Sequence, residues 1–133
     1  MNSSSDILSA SSTLITVIAV LYSLWYSDID KYSHIELPKF EADRDPLRKA
    51  IRGVKYSKVM PLLVINTFYF LIFLPESFFS FLQCLKNIDS DFSWSFDPII
   101  LSIIFMNIMS FIFVLILFNK LTVMNKKIGE KGV

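Results

Sequence analysis

The chain has 133 residues, of which 53% are hydrophobic, 15% aromatic and 19% charged, with three glycines and a mean hydropathy of +0.53. This balance excludes disorder, a collagen-like repeat and a disulfide scaffold, and it is too apolar for an ordinary small soluble domain. A net charge of +1 gives no ground for direct nucleic-acid binding, and a single cysteine cannot close an intrachain disulfide.

Three apolar runs divide the chain, at 7–26, 59–85 and 98–118. A hydrocarbon core about 30 Å thick takes roughly 20 helical residues. The first and third runs carry no charge, and the second carries only Glu76. The expected fold is all-α, a single membrane domain of three transmembrane helices. The basic residues orient it. The segment before Ile7 has no Lys or Arg, the loop 27–58 has eight, the loop 86–97 has only Lys86, and the tail 119–133 has four. Twelve of thirteen therefore fall on one side, which predicts the N-terminus outside and the C-terminus inside. The first run lacks a basic leader and is longer than a usual signal-peptide core, so it reads as a retained helix. Asn2-Ser3-Ser4 matches a glycosylation pattern too short to carry weight. Tyr22, Trp25 and Tyr26 at the inner end, and Phe92, Trp94 and Phe96 in the outer loop, suit anchoring at the headgroups.

Along the first helix Ser5, Ser9, Ser12, Thr16, Ala19 and Ser23 recur at spacings of four and three, a heptad-like stripe of small residues. Such a stripe lets backbones approach closely. It predicts a close left-handed contact, either with a helix of the same chain or a symmetric copy, or around a narrow hydroxyl-coated pore built from several copies. Leu8, Ile15, Ile18 and Trp25 lie off it.

In the second run Pro75 removes a backbone hydrogen bond. The helix is expected either to cross 59–85 with a kink there, or to stop and lay 76–86 along the outer interface. Glu76, roughly 27 Å from Lys58 at about 1.5 Å per residue, falls near the outer edge. It is a candidate for a cation-attracting ring, for a pair with Lys86, or for plain solvation. Asn66 in the second helix and Asn107 in the third are the deepest strong hydrogen-bonding groups. Ser110 lies beside Asn107, with Ser102, Met106 and Phe113 on the same side. These amides are expected to face protein as interhelical bonds, with the serine stripe of the first helix as a candidate partner.

The loop 27–58 is too short to hold its own core, so it is not a catalytic domain. Asp45 suits an N-cap and Pro46 a first helical position, predicting a basic amphipathic helix over 46–57. Leu47, Ala50, Ile51 and Val54 share its apolar face. Arg48, Lys49, Arg52, Lys55 and Lys58 are the candidate contacts for anionic lipid or for a partner protein. Residues 28–44 read as a mixed-charge linker around Pro38.

Catalytic chemistry is missing. The lone His34 precludes bis-histidine haem ligation within one chain, no Cys/His cluster suits zinc, and no glycine-rich phosphate loop exists. No catalytic residue, metal or cofactor is assigned, and Cys84 reads as a small apolar residue near the outer face. The three-helix plan with a basic tail is similar to some phage holins in architecture only, and their loops are usually shorter than 27–58. Size and charge asymmetry suit a bacterial cytoplasmic membrane.

Two functions follow as expectations. One is an oligomeric membrane protein acting on permeability: a pore-former, toxin, holin-like protein or defence effector. The other is a non-conducting anchor, immunity factor or accessory subunit that binds a partner protein.

Overall fold

A computed structural model describes residues 4–88 and 98–130. Four α-helices and one π-helical turn make up nearly all of these: α1 (Ser4–His34), α2 (Glu41–Val54), the π turn (Lys55–Val59), α3 (Met60–Ile88) and α4 (Pro98–Gly129). α1, the stretch containing α3, and α4 are each long and apolar enough to cross a membrane. The described residues thus form an all-helical fold, with three helices that suit a multi-pass membrane protein. The expected aromatic anchors Phe92, Trp94 and Phe96 lie outside the described residues, as do Asn2 and Ser3.

The helices outrun their apolar stretches. α1 continues eight residues past Tyr26 to His34, because Ile29 and Ser33 of that extension are buried against the bundle. α4 likewise continues beyond 118, holding Met124 at 0% exposure. The expected helix over 46–57 begins five residues earlier, at Glu41, with Phe40 in the cap position and Asp43 N–H bonded to the Phe40 carbonyl at 3.2 Å. Glu41 and Asp43 place acidic charge in the first turn, where the helix dipole favours it. Pro46 consequently sits inside the helix rather than at its first position.

α2 runs into α3 through the π turn with no break, so residues 41–88 form one continuous helical rod. Pro75 does not stop it: α3 carries the proline internally and reaches Ile88. This rejects the alternative in which 76–86 leaves the helix at Pro75. A proline costs one i→i−4 bond, and in a membrane the helix is kept because every other backbone group needs its partner.

α3 packs on α4 and on α1, and α1 also packs on α4. The interior changes character along its length. At the end where α2 sits, the buried residues are mainly apolar, Ile18, Ile29, Ile51, Val59, Leu62, Leu117 and Met124 at 0–2% exposure, with Ser33 and Arg44 also buried there. Towards the far end most buried positions are polar, at Ser11, Asn66, Ser77, Ser80, Asn107 and Ser110 with Tyr69 among them, while Phe73 and Ile103 remain apolar. Large apolar side chains such as Leu24, Phe68, Ile72, Phe105 and Phe118 point outward, as a bilayer solvent permits.

Candidate functional site

α3 presents Asn66, Tyr69, Phe73, Ser77 and Ser80 inward, at spacings of three and four that keep them on one face. Asn66 and Ser110 make a reciprocal pair across to α4. The Asn66 amide donates to the Ser110 carbonyl at 3.2 Å, and the Ser110 hydroxyl donates to Asn66 Oδ1 at 2.9 Å. Nearer the far end, Asn107 Nδ2 donates to Ser77 Oγ at 2.9 Å, and Ser77 donates on to the Phe73 carbonyl at 3.0 Å. α1 joins through Ser11, whose hydroxyl shares a 2.5 Å bond with Tyr69 and lies 3.7 Å from Met106 Sδ. The two asparagines therefore face protein, but they bond to α3 and α4 rather than to the serine stripe of α1. Asn107 Oδ1 is buried with no partner.

The small-residue stripe faces the other way. The packed side of α1 is centred on Ser11, Ile18 and Ile29. At about 100° per residue the stripe lies roughly a third of a turn from it. Ser5, Ser9, Thr16, Ala19 and Ser23 are exposed and Ser12 is half-buried. The expected contact with a helix of the same chain does not form along it. Thr16, Ala19 and Ser23 instead line an open shallow groove, walled by Ile15, Val20 and Leu24. The hydroxyls of Ser12 and Thr16 bond back to the Ser9 and Ser12 carbonyls, at 3.0 and 2.7 Å. Such back-bonding lets a hydroxyl face lipid without an unmet donor.

No protein-family model, curated protein or solved structure matches this chain.

At the α2 end the charged residues are largely committed within the molecule. Arg48 pairs with Glu41, lies 3.7 Å from Asp45, and donates to the Glu130 carbonyl beyond α4. Arg44, 8% exposed, donates to the Pro38 and Glu130 carbonyls. Two guanidiniums thus cover the C-terminal end of α4, where the helix dipole favours positive charge. Lys58 pairs with Asp28. Of the five basic candidates, Lys49 and Arg52 are exposed, and Lys55 lies 4.8 Å over the Tyr56 ring. The packed face of α2 runs through Arg44, Arg48 and Ile51, rolled away from the expected face of Leu47, Ala50, Ile51 and Val54, which leaves three of those half-buried. The two arginines account for the roll, since they must reach Glu130.

Lys120 ties α4 to α1, reaching Asp30 at 3.0 Å and Ser33 Oγ at 3.2 Å. Its hydrogen bond, with help from its charge and from His34, holds the Asp30 carboxyl below the ordinary value of 3.8. Because the folded value is the lower one, the pair contributes at neutral pH and is lost only as pH falls below that range. Lys127 donates to the Ile35 carbonyl at 2.6 Å, and desolvation pushes its ammonium below the usual lysine range. Lys120→Glu should lower the thermal midpoint, more so at low salt. Adding Asp30→Lys should recover most of the loss, measured by thermal unfolding of the purified protein.

Glu76 is half-buried beside Ser77, and among the described residues no salt bridge joins it to Lys86. Cys84 is a half-buried free thiol. His34 is largely exposed at the end of α1, 3.2 Å from Asp30. Tyr22 and Trp25 pack inward, with Tyr22 edge-on to Phe113 at 4.6 Å, so their position serves packing as well as anchoring. Sequence reading missed Ser11, Tyr69 and Ser77. The 66-69-73-77-80 spacing on α3 was the signal that could have found the last two.

Proposed function

We propose that the chain is a small oligomeric membrane protein acting on membrane permeability, its copies meeting along the small-residue stripe of α1. One observation carries this reading: the stripe is turned away from the chain's own bundle and left open. A face of Ser, Thr and Ala against lipid gives up the close backbone approach that small residues allow, and a second copy would recover it. The back-bonded hydroxyls of Ser12 and Thr16 suit either state, since they are satisfied in lipid and free to turn toward a neighbour or toward water in a pore.

In this reading the N-terminus lies outside and the α2 end in the cytoplasm, as the distribution of basic residues favours. A bacterial inner membrane suits the size. Lys49, Arg52 and Lys55 then lie at the headgroups and attract anionic lipid, while Arg48 and Lys58 hold the fold. A toxin, holin-like protein or defence effector would all act in this way.

Membrane potential tests it. Expressed alone in bacteria, the wild-type chain should depolarise cells within minutes of induction, read by a voltage-sensitive dye. Thr16→Leu, which fills the groove, should abolish the effect at equal protein level. A steady potential with the wild type, or undiminished depolarisation with Thr16→Leu, overturns the proposal and points to the non-conducting accessory subunit.

A further inference from the structure

The bundle interior is divided, and its polar half contains an unmet hydrogen-bonding group. Asn107 is 6% exposed, and its Oδ1 has no partner. Turning the amide over would let the Ser77 hydroxyl donate to the oxygen, but it would put the NH2, a group with two protons to place, at the position where Oδ1 has no partner. Asn107 stands nine residues past the start of α4, near the middle of the apolar run 98–118. An unmet polar atom at that depth costs several kcal/mol in hydrocarbon. Buried polar groups of this kind are met by ordered water where the protein supplies no partner.

We infer that water enters the bundle from the end opposite α2 as far as Asn107, whose carboxamide oxygen holds it. The surroundings suit such a site. Ser77, one of Asn107's own partners, and Ser80 lie on the same inward face of α3, and Ser80 is one turn closer to the far end. Ser11, which touches the residue preceding Asn107, adds a hydroxyl from α1. A bound water needs two to four polar partners; Asn107 Oδ1 is one, and the hydroxyls on this face are the further candidates. On the other side of the Asn66–Ser110 pair the polar positions end. Ile18, Leu62 and Leu117, at 2%, 0% and 0% exposure, close the interior with apolar side chains. One protomer thus carries a hydrated site at Asn107, reached past the buried Ile103 one turn nearer the far end, and a dry seal beyond the Asn66–Ser110 pair. This goes beyond the proposed association of copies and does not depend on it.

The test uses the full-length protein, isotopically labelled, in lipid vesicles. Magnetisation is transferred from water protons to the protein by solid-state NMR, and build-up is compared between sites. The backbone amide of Asn107 should build up several-fold faster than the backbone amides of Ile18, Leu62 and Leu117. Equal build-up at all four would overturn the inference. Asn107→Leu gives a second reading: signal near Ser77 should fall toward that of the seal residues, and an unchanged Ser77 signal in a folded variant would count equally against Asn107 as the holder. The first comparison needs no variant, so it stands if Asn107→Leu fails to fold. Neither result depends on whether cells depolarise.

Discussion

Trimming Leu62 to alanine should destabilise the bundle by about 2 kcal/mol, near the low end of the roughly 2–5 kcal/mol seen for buried leucines in water. Leu62 is fully buried in the apolar layer with Ile18 and Leu117. In a soluble protein part of the loss is the transfer of methylene groups back to water. Here the separated helices would meet lipid tails, which are as apolar as the interior, so that part vanishes. What remains is the cavity and the dispersion contacts no longer made. Leu71 is the matched control, on the same helix but 57% exposed to the outside. Leu71→Ala removes the same atoms without opening a cavity and should fall within the roughly ±0.5 kcal/mol of a surface change. Unfolding in mixed micelles by added SDS would measure both. Equal effects would mean that α3 is not packed as described.

The Asn66–Ser110 pair should show the largest coupling between any two polar side chains of the membrane-spanning part. It makes two hydrogen bonds, both at buried residues. Ser110→Ala keeps the backbone carbonyl, so a double-mutant cycle with Asn66→Ala and Ser110→Ala reports the hydroxyl bond alone and should return about 0.6–1.7 kcal/mol, the range from the average to the maximum for single interhelical bonds. The two single variants should be unequal. Without Asn66, the Ser110 hydroxyl has a substitute in the carbonyl one turn back, a bond serines make readily in helices. Asn66 lacks such a local escape when Ser110 loses its hydroxyl, although it keeps the bond to the Ser110 carbonyl. A coupling near zero would place the two residues apart.

The helices themselves were legible in the sequence because hydropathy is a property of each run alone. Their lengths were not. α1 extends to His34 because Ile29 finds Ile51 and Met124 as core neighbours from other helices, and no local pattern announces a distant neighbour. The start of α2 was misread for a related reason. Asp45-Pro46 is a fair local start signal, but Glu41 and Asp43 also stabilise a first turn, and Arg44 and Arg48 gain carbonyls of Pro38 and Glu130 only if the helix already covers them. Asn66 and Asn107 were expected to face protein because amides at that depth have few alternatives, and both are buried. Their partners were not legible, since the serine stripe of α1 looked the most abundant source of hydroxyls and turned out to face away. The five basic candidates of α2 and the π turn read as a surface, and two of them, Arg48 and Lys58, serve the fold instead.

The long overhang of the helices has a thermal consequence. At about 1.5 Å per residue α1 is about 46 Å long against a hydrocarbon core of about 30 Å. The excess, with α2 packed against it, forms a small cap beyond the hydrocarbon that includes Ile29, Ile51 and Met124. The cap is held by withdrawal of apolar surface from water, so its stability carries a large heat capacity and weakens on cooling. The membrane part exchanges lipid for protein and carries almost none. The two ends of the same rods therefore obey different temperature laws: cold loosens the cap first and leaves the membrane part packed.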